Sequence, residues 1–444
     1  MKTGAVRGAS FGKKKAWEVL RRARSRSDTM GGGKSKVKFD PEVMDMRHFK
    51  LQIKLGQGGF GSVHAIEKIS EPNKGVLYAC KEIAKDVVCE KKGGVEEVFT
   101  ERDILARVSH PFLCNLVYAW QDDKTLYMCL DLALGGDLRY NLVHHAPIKK
   151  NGLGVFTDDW TRFYIGSMVL ALEELHKNRI IMRDMKPDNI LMEGTGYVKL
   201  SDFGISQYCP DGICKKGSGT PGYIAPELYR KGRAHSYGVD WFALGITMFE
   251  LYTGGRKPYK DSELKAMADV ETKTIHLGNE SAPGAQFVDL EKNEDVNAFD
   301  IPPGSTKFIM DITRKEKTKR LGAEGATQVK SHVWFKDFDF QKLRDLKMNP
   351  PFIPNTKQAN FNPEHTMLEL LHCSADEEHF VVPEKWQKKF EKWDYKTDLT
   401  GSKGGKTMFF HRFSRKMSRA PVSSSPSKTN LRAVSIKEAK EEDI

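Results

Sequence analysis

The chain has no run of eighteen apolar residues, so no segment is long and apolar enough to cross a bilayer as a helix. Its N-terminus lacks the apolar stretch of a secretory signal. Cysteine is sparse: Cys80, Cys89, Cys114, Cys129, Cys209, Cys214 and Cys373 are scattered, odd in number and without metal-ligand spacing. A reduced, cytosolic chain is expected from that pattern. No nucleic-acid-binding motif and no internal repeat is found. Acid is scarce at both ends. Residues 1–39 hold twelve Lys/Arg against Glu18 and Asp28, and residues 403–432 hold eight against none. The net charge of +12 therefore sits in the tails, and the stretch between them is mildly acidic. Basic tails of this kind point to a membrane surface or an acidic partner and away from sequence-specific nucleic acid.

The 444 residues, 39% of them hydrophobic, suffice for a large core and two or three structural units. Residues 1–48 form a basic segment in which disorder is expected, with a short basic helix around Lys13–Arg24. From Phe49 the sequence alternates as strands do: Phe49–Ile53, Val63–Ile66 and Val76–Lys81. A helix is predicted over Val95–Val108, then strands at Leu116–Gln121 and Thr125–Leu130 around the Asp122-Asp123 turn. After Gly135-Gly136 the pattern turns helical, with helices predicted over Asp158–Asn178, Ser236–Thr253 and Gly304–Thr313. This is an α+β chain: a β-rich lobe over residues 49–133, then a larger helical lobe over 134–338, with a cleft between them. Residues 270–300 read as a polar inserted loop, and 401–444 as a basic, Ser-rich disordered tail.

Gly56-Gln57-Gly58-Gly59-Phe60-Gly61-Ser62-Val63 is a glycine-rich loop. A strand and not a helix follows it, which favours a hairpin folded over phosphates, where glycines let backbone N–H groups approach. Downstream, Lys81 ends a strand and Glu101 lies in a helical stretch from which it can pair with Lys81. Met182-Arg183-Asp184-Met185-Lys186-Pro187-Asp188-Asn189, Asp202-Phe203-Gly204 and Ala225-Pro226-Glu227 follow in order. That series is the signature set of protein kinases. Phosphoryl transfer needs little covalent help, so the residues divide into positioning and charge neutralisation. Lys81 anchors the α/β phosphates of ATP and Glu101 holds Lys81. Asp202 and Asn189 hold Mg²⁺. Asp184 accepts the proton of the attacking hydroxyl, and Lys186, two residues on, reaches the transferring phosphate as in Ser/Thr kinase loops.

Residues 49–400 resemble the AGC group of Ser/Thr protein kinases. Gly58-Gly-Phe-Gly61, Tyr78-Ala-Cys-Lys81, Gly219-Thr-Pro-Gly-Tyr223 and Asn349-Pro-Pro-Phe-Ile-Pro354 resemble G-protein-coupled receptor kinases. Gly135-Gly-Asp-Leu-Arg-Tyr140, Arg183–Leu191 and Phe352-Ile-Pro-Asn355 resemble the serine/threonine kinase 32 (YANK) branch, which the short leading segment also favours. The resemblance implies a bilobal protein kinase fold with an AGC-type C-terminal tail over 339–400. It implies ATP and Mg²⁺ as cofactors and protein substrates as partners. Asp131 to Ala133 would be the hinge facing adenine, with Val63, Ala79 and Leu191 around the ring. Leu105, Leu116, Met182 and Phe203 would form an apolar spine, Asp240 would brace the catalytic loop, and Glu227 would pair with Arg320. Thr220 belongs to the activation segment with Asp202, Phe203, Gly204 and Glu227. Asp137, Asp188 and Glu250 match positions that bind substrate arginines, so a hydroxyl near basic residues is the expected target, and Ser418 and Ser435 would fit as autophosphorylation sites. Phe390-Glu-Lys-Trp393-Asp394-Tyr395 resembles the hydrophobic motif with which AGC tails dock on the small lobe.

Three positions depart from the pattern. Met182 replaces a His or Tyr, Gly222 replaces an acid, and Lys216 stands where relatives carry an activating phosphothreonine. Two rival readings are a non-catalytic scaffold and a kinase of lipids or small molecules. The intact Lys81, Asp184, Asn189 and Asp202 oppose the first, and Ala225-Pro226-Glu227 with the helices after it the second. Met30-Gly31-Gly-Gly-Lys34-Ser35 fits the N-myristoylation pattern if an internal start or processing exposes Gly31. Lys34, Lys36, Lys38 and the Phe409–Lys416 segment would supply the second membrane signal that one acyl chain needs; a flexible Gly-rich linker is the alternative. A cytoplasmic monomer, peripheral to a membrane under that condition, is expected.

Overall fold

The computed structural model describes residues 44–58, 61–215, 217–229, 234–269, 300–356, 360 and 382–396. Residues 1–43 with Gly31, the polar stretch 270–299, Lys216, Ser418 and Ser435 lie outside the described residues. The last residues of the expected disordered segment are instead ordered: Met46–His48 form a 3-10 turn capped by Asp45, and His48 is buried on Ser70.

Strands β1 (Phe49–Gly58), β2 (Gly61–Lys68) and β3 (Leu77–Ala84) lead into helices α1 (Lys85–Glu90) and α2 (Gly94–Arg107), then β4 (Leu116–Gln121) and β5 (Thr125–Asp131). They form one antiparallel sheet in the order β1-β2-β3-β5-β4. The β4–β5 turn is set by Asp122, whose Oδ1 accepts the backbone N–H groups of Lys124 and Thr125 at 2.9 and 2.8 Å, the local use to which turn aspartates are suited. Alternation in β3 buries Tyr78 and Cys80 on one face, while Ala79 and Lys81 take the other face together with the buried Ile83. Helix α2 buries Val98, Glu101, Ile104 and Leu105, a stripe at helical spacing. A carboxylate thus lies on the same stripe as three aliphatic side chains, and burial obliges it to find a partner.

The helical lobe runs α3 (Leu138–His144), β6 (Ile148–Lys150), β7 (Leu153–Val155), α4 (Asp158–Lys177), β8 (Ile180–Ile181), β9 (Ile190–Met192), β10 (Val198–Leu200) and β11 (Gln207–Tyr208). It continues with α5 (Gly238–Thr253), α6 (Asp261–Asp269), α7 (Pro303–Ile312), α8 (Ala326–Lys330) and α9 (Phe340–Arg344). Helix α4 starts at Thr157, whose hydroxyl caps Trp160 N–H, with Asp158 and Asp159 in its first turn. Every residue of α5 from Val239 to Thr253 is buried, as expected of the central helix of a lobe. The predicted start at Ser236 moves to Gly238 because Val239 and Asp240 N–H bond back to Ser236 and Tyr237 carbonyls in a turn.

The tail docks on the small lobe as expected, and two details were not read from the sequence: a strand in that tail and a disulfide. Helix α10 (Glu384–Gln387) and strand β12 (Tyr395–Lys396) lie on the small lobe, and β12 extends the sheet by pairing with β4 through Tyr395↔Ala119 and Lys396↔Tyr118. The reading of all cysteines as isolated thiols is corrected for one pair. Cys209 and Cys214 are joined as a disulfide with Cα atoms 6.0 Å apart. The Pro210-Asp211-Gly212 turn, closed by Gly212 N–H to the Cys209 carbonyl at 2.8 Å, brings the two together. Cys80, Cys89, Cys114 and Cys129 are free. Among the described residues no helix is long and apolar enough to cross a membrane.

Candidate active site

Lys81 and Glu101 meet where β3 passes the buried stripe of α2. The ammonium donates to both carboxylate oxygens, at 2.7 and 2.8 Å. Burial works against charge on Lys81, but the charge and hydrogen bonds of Glu101, with Asp202 adding to them, hold it protonated above its ordinary value.

Below this pair lies the loop between β8 and β9. Asp240 of α5 braces it: its carboxylate accepts the backbone N–H groups of Met182 at 2.9 Å and Arg183 at 2.7 Å, with His176 at 2.8 Å. Three anchors of this kind explain how Arg183 is kept at φ 64°, a region costly for a side chain with a Cβ. Asp184 then points into a compact network. Its Oδ1 accepts from Thr220 at 2.5 Å, its Oδ2 from Lys186 and Asn189 at 2.8 Å each, and Lys186 also donates to Thr220 at 2.8 Å. Asp202 sits at φ 60° with its carboxylate exposed, accepting Gly204 N–H at 3.3 Å. Phe203 beside it is buried in one apolar cluster with Leu105, Leu116 and Met182. Met182 carries no polar side chain here, and Ser206 Oγ takes its carbonyl at 3.1 Å.

The upper wall comes from the sheet. Gly56 and Gly58 pair with Val63 and Gly61 across the β1–β2 hairpin, whose tip, Gly59-Phe60, lies outside the described residues. Gly61 is fixed by close approach: a Cβ there would meet the Glu82 carbonyl oxygen at 1.9 Å. Val63, Ala79 and Leu191 are each half-buried, and Val63 and Ala79 stand on adjacent strands with Lys81 opposite Val63. Asp131 ends β5. Its carboxylate is taken by Asn115 Nδ2 at 2.7 Å and by the buried Lys199 at 3.1 Å, and Ala133 is half-buried just beyond.

In the segment after Asp202, Glu227 and Arg320 form a two-pronged pair at 2.6 and 2.9 Å, with Arg320 fully buried and its Nε on the Arg314 carbonyl at 2.8 Å. Arg183 Nε donates to the Ile205 carbonyl at 2.7 Å.

The three acids expected to meet substrate are each engaged by the chain itself. Asp137 caps α3, accepting Tyr140 N–H at 2.7 Å, and burial raises its carboxyl against that bond. Asp188 and Glu250 come together around Arg139, whose NH2 lies 3.3 Å from Asp188 and 3.2 Å from Glu250 and donates to Tyr223 OH at 2.7 Å.

Residues from the far end of the sequence complete the small lobe. Phe390 and Trp393 are fully buried against Phe99 of α2, with ring centroids 6.2 and 5.4 Å away. Trp393 Nε1 donates to the Trp120 carbonyl at 3.0 Å, and Lys85 donates to Gln387 at 2.6 Å. Asp394 makes no ion pair among the described residues; partial burial raises its carboxyl, with Lys85 and Arg102 opposing. Asn360, which the sequence did not single out, is buried and donates to the Leu134 carbonyl at 2.8 Å, next to the strand end that carries Asp131. An isolated asparagine in a polar tail gives no sequence signal of such a contact.

A two-lobed fold with a lysine–glutamate pair above an Asp-Lys-Asn loop and an exposed Asp beside a buried Phe defines a phosphotransferase class. The chain belongs to the protein kinase domain family, which matches residues 49–335. It is similar to a probable serine/threonine-protein kinase of Dictyostelium discoideum, 34% identical over 71% of this chain and 62% of that one. Ribosomal protein S6 kinase 2 beta of Xenopus laevis is 36% identical over 73% of this chain and 47% of that protein. Human ribosomal protein S6 kinase alpha-1 is 35% identical over 73% and 40%. The chain thus spans between 40% and 62% of the length of these relatives.

Proposed function

We propose that the protein is a serine/threonine protein kinase that uses ATP and Mg²⁺ and belongs to the AGC group, nearest in motif to the serine/threonine kinase 32 branch. The observation that carries the reading is the convergence of Asp184, Lys186, Asn189 and Thr220 in one hydrogen-bonded network. The residues fit the cofactors. Asp202 and Asn189 offer two oxygen ligands, and no denser cluster of His, Cys, Asp and Glu exists among the described residues. That is the sparse donor set Mg²⁺ accepts when phosphates and water complete its shell. Val63, Ala79 and Leu191 offer half-buried apolar surface for a flat ring, beside the strand end at Asp131 and Ala133.

Mg-ATP supplies the γ-phosphoryl group and the cation that offsets its charge. Lys81, oriented by Glu101, holds phosphate oxygens under the Gly56, Gly58 and Gly61 hairpin. Asp184 accepts the proton of the Ser or Thr hydroxyl at its carboxylate. Lys186 offsets charge on the transferring group, and Thr220 ties the activation segment to Asp184. Glu227 and Arg320 hold the far end of that segment on the large lobe. Arg183 already has the Ile205 carbonyl as a partner, which supports activity without phosphorylation of the segment. The docked Phe390 and Trp393 support a tail that steadies the helix bearing Glu101. Basic tails and a Gly31 exposed by processing would bring the kinase to anionic membranes as a peripheral monomer; intact mass of the native protein, with no acyl increment at Gly31, would end that part.

The test of the activity is transfer of labelled phosphate from Mg-ATP to Ser/Thr peptides by the full chain. Asp184→Asn and Lys81→Met should each lose at least about a hundredfold in rate, the scale of removing positioned charge from a transition state. Near-full rates in both variants would overturn the reading.

A further inference from the structure

Glu250 is a fully enclosed carboxylate, with 0% of its side chain exposed. Burial raises its carboxyl, against the opposing charge of Arg139 and the hydrogen bonds it accepts. Its Oε2 accepts from Tyr223 OH at 2.7 Å and from Arg139 NH2 at 3.2 Å, and its Oε1 accepts from the same NH2 at 3.3 Å. Arg139, from the first turn of α3, also reaches Asp188 at 3.3 Å. A guanidinium therefore stands between the two carboxylates that would receive a substrate arginine, and it belongs to the chain. A second change of the same sense lies beside it. At position 222 an acid is replaced by glycine, at φ 86°, and Lys257 lies across the vacated place: a Cβ on Gly222 would meet Lys257 Cδ at 2.8 Å and Nζ at 2.9 Å. Lys257 Nζ also sits 4.1 Å from the centre of the Tyr223 ring. One acid is replaced, one is paired within the chain, and a lysine stands on the same face.

We propose that Arg139 is a resident occupant of the arginine subsite of the peptide groove, and that Lys257 beside it makes this groove select acidic over basic side chains before the target hydroxyl. The geometry leaves an incoming arginine no free oxygen on Glu250 and sets it against Arg139 and Lys257; like charges brought together in a partly desolvated groove repel. A carboxylate entering the same place meets Lys257. The proposal rests on the kinase reading and reverses the polarity expected for the groove from Asp137, Asp188 and Glu250 alone.

The experiment is a set of serine peptides carrying Arg, Ala or Glu at each of the five positions before the serine, with kcat/KM measured for the full chain, Arg139→Ala, Lys257→Ala and Asp184→Asn. For the native chain, Arg should nowhere exceed Ala by more than about twofold, and Glu should exceed Ala severalfold at one position or more, an advantage that Lys257→Ala removes. Arg139→Ala frees Glu250 and should raise the Arg-to-Ala ratio about tenfold at one position, the scale of a hydrogen bond to a charged group. If that variant fails to fold, Arg139→Gln, which retains a donor for Glu250, should raise the same ratio in smaller degree. A native preference for Arg of tenfold or more, or unchanged ratios in the Arg139 variant, overturns the inference while Asp184→Asn still abolishes transfer. Absence of transfer to every peptide overturns the kinase reading and this inference with it.

Discussion

Lys81 and Glu101 share two hydrogen bonds, at 2.7 and 2.8 Å, that tie strand β3 to helix α2. The carboxylate is almost wholly buried, so the pair fixes the angle of α2 as well as the lysine. Glu101→Gln keeps the volume and loses the charge. Its kcat/KM for peptide should fall by about tenfold or more, with Lys81 then easier to deprotonate because only Asp202 is left to oppose burial. Steady-state kinetics across pH 7–10 checks both, and an unchanged rate would show that the pair only packs.

Arg320 is fully buried and forked onto Glu227. Removing one member of such a pair leaves an unpaired buried charge. Arg320→Ala should cost about 3–5 kcal/mol of stability, read as a lower urea midpoint. A shift under about 1 kcal/mol would mean that water reaches Glu227 readily.

Trp393 fills a closed site against Phe99, with its indole N–H on two carbonyls at 3.0 and 3.3 Å. Trp393→Ala should destabilise the small lobe by about 3–5 kcal/mol and lower peptide kcat/KM through loosening of α2. Ending the chain after Asn362 should do the same. Full activity and an unchanged melting curve in both would remove the tail from the working enzyme.

His110 is buried with its Nδ1 on Phe112 N–H. Burial first, and the nearby Arg344 and Lys199 next, push its pKa down to about 3 from 6.5. The unfolded chain therefore binds a proton on this ring between those values while the folded chain does not. The stability from neutral His110 is complete above about pH 6.5 and is lost progressively as pH falls toward 3, at no more than about 1.4 kcal/mol per pH unit. The gap in urea midpoint between the native chain and His110→Gln should be constant above about pH 6.5, and the native chain should lose stability relative to the variant as pH falls from there toward 3; profiles parallel over the whole range would exclude the effect.

Much of this molecule was legible in local pattern. Alternation marks the strands of the small lobe, the 3.6-residue stripe marks α2, and ordered motifs tie Lys81, Asp184, Asn189 and Asp202 to one chemistry. What escaped depends on long-range packing. The strand at Tyr395–Lys396 is two residues long and exists only because β4 offers an edge. Arg139 reads as one more surface charge until α3 turns it onto Glu250, 111 positions away. Cys209 and Cys214 are five positions apart, a spacing that carries no signal without the turn between them.

The late arrival of β12 has a consequence for how the protein is made. Trp393 and the Trp120 carbonyl that receives it are 273 positions apart. At ribosomal rates of about 5–20 residues per second, the β4–β5 hairpin emerges on the order of tens of seconds before its outer neighbour has been synthesised. For that interval the nascent chain carries an open strand edge at Tyr118 and Ala119 and an unfilled apolar site beside Phe99, the kind of surface on which chains pair wrongly. The large lobe is then complete before the small one, and the first strands translated wait for the last.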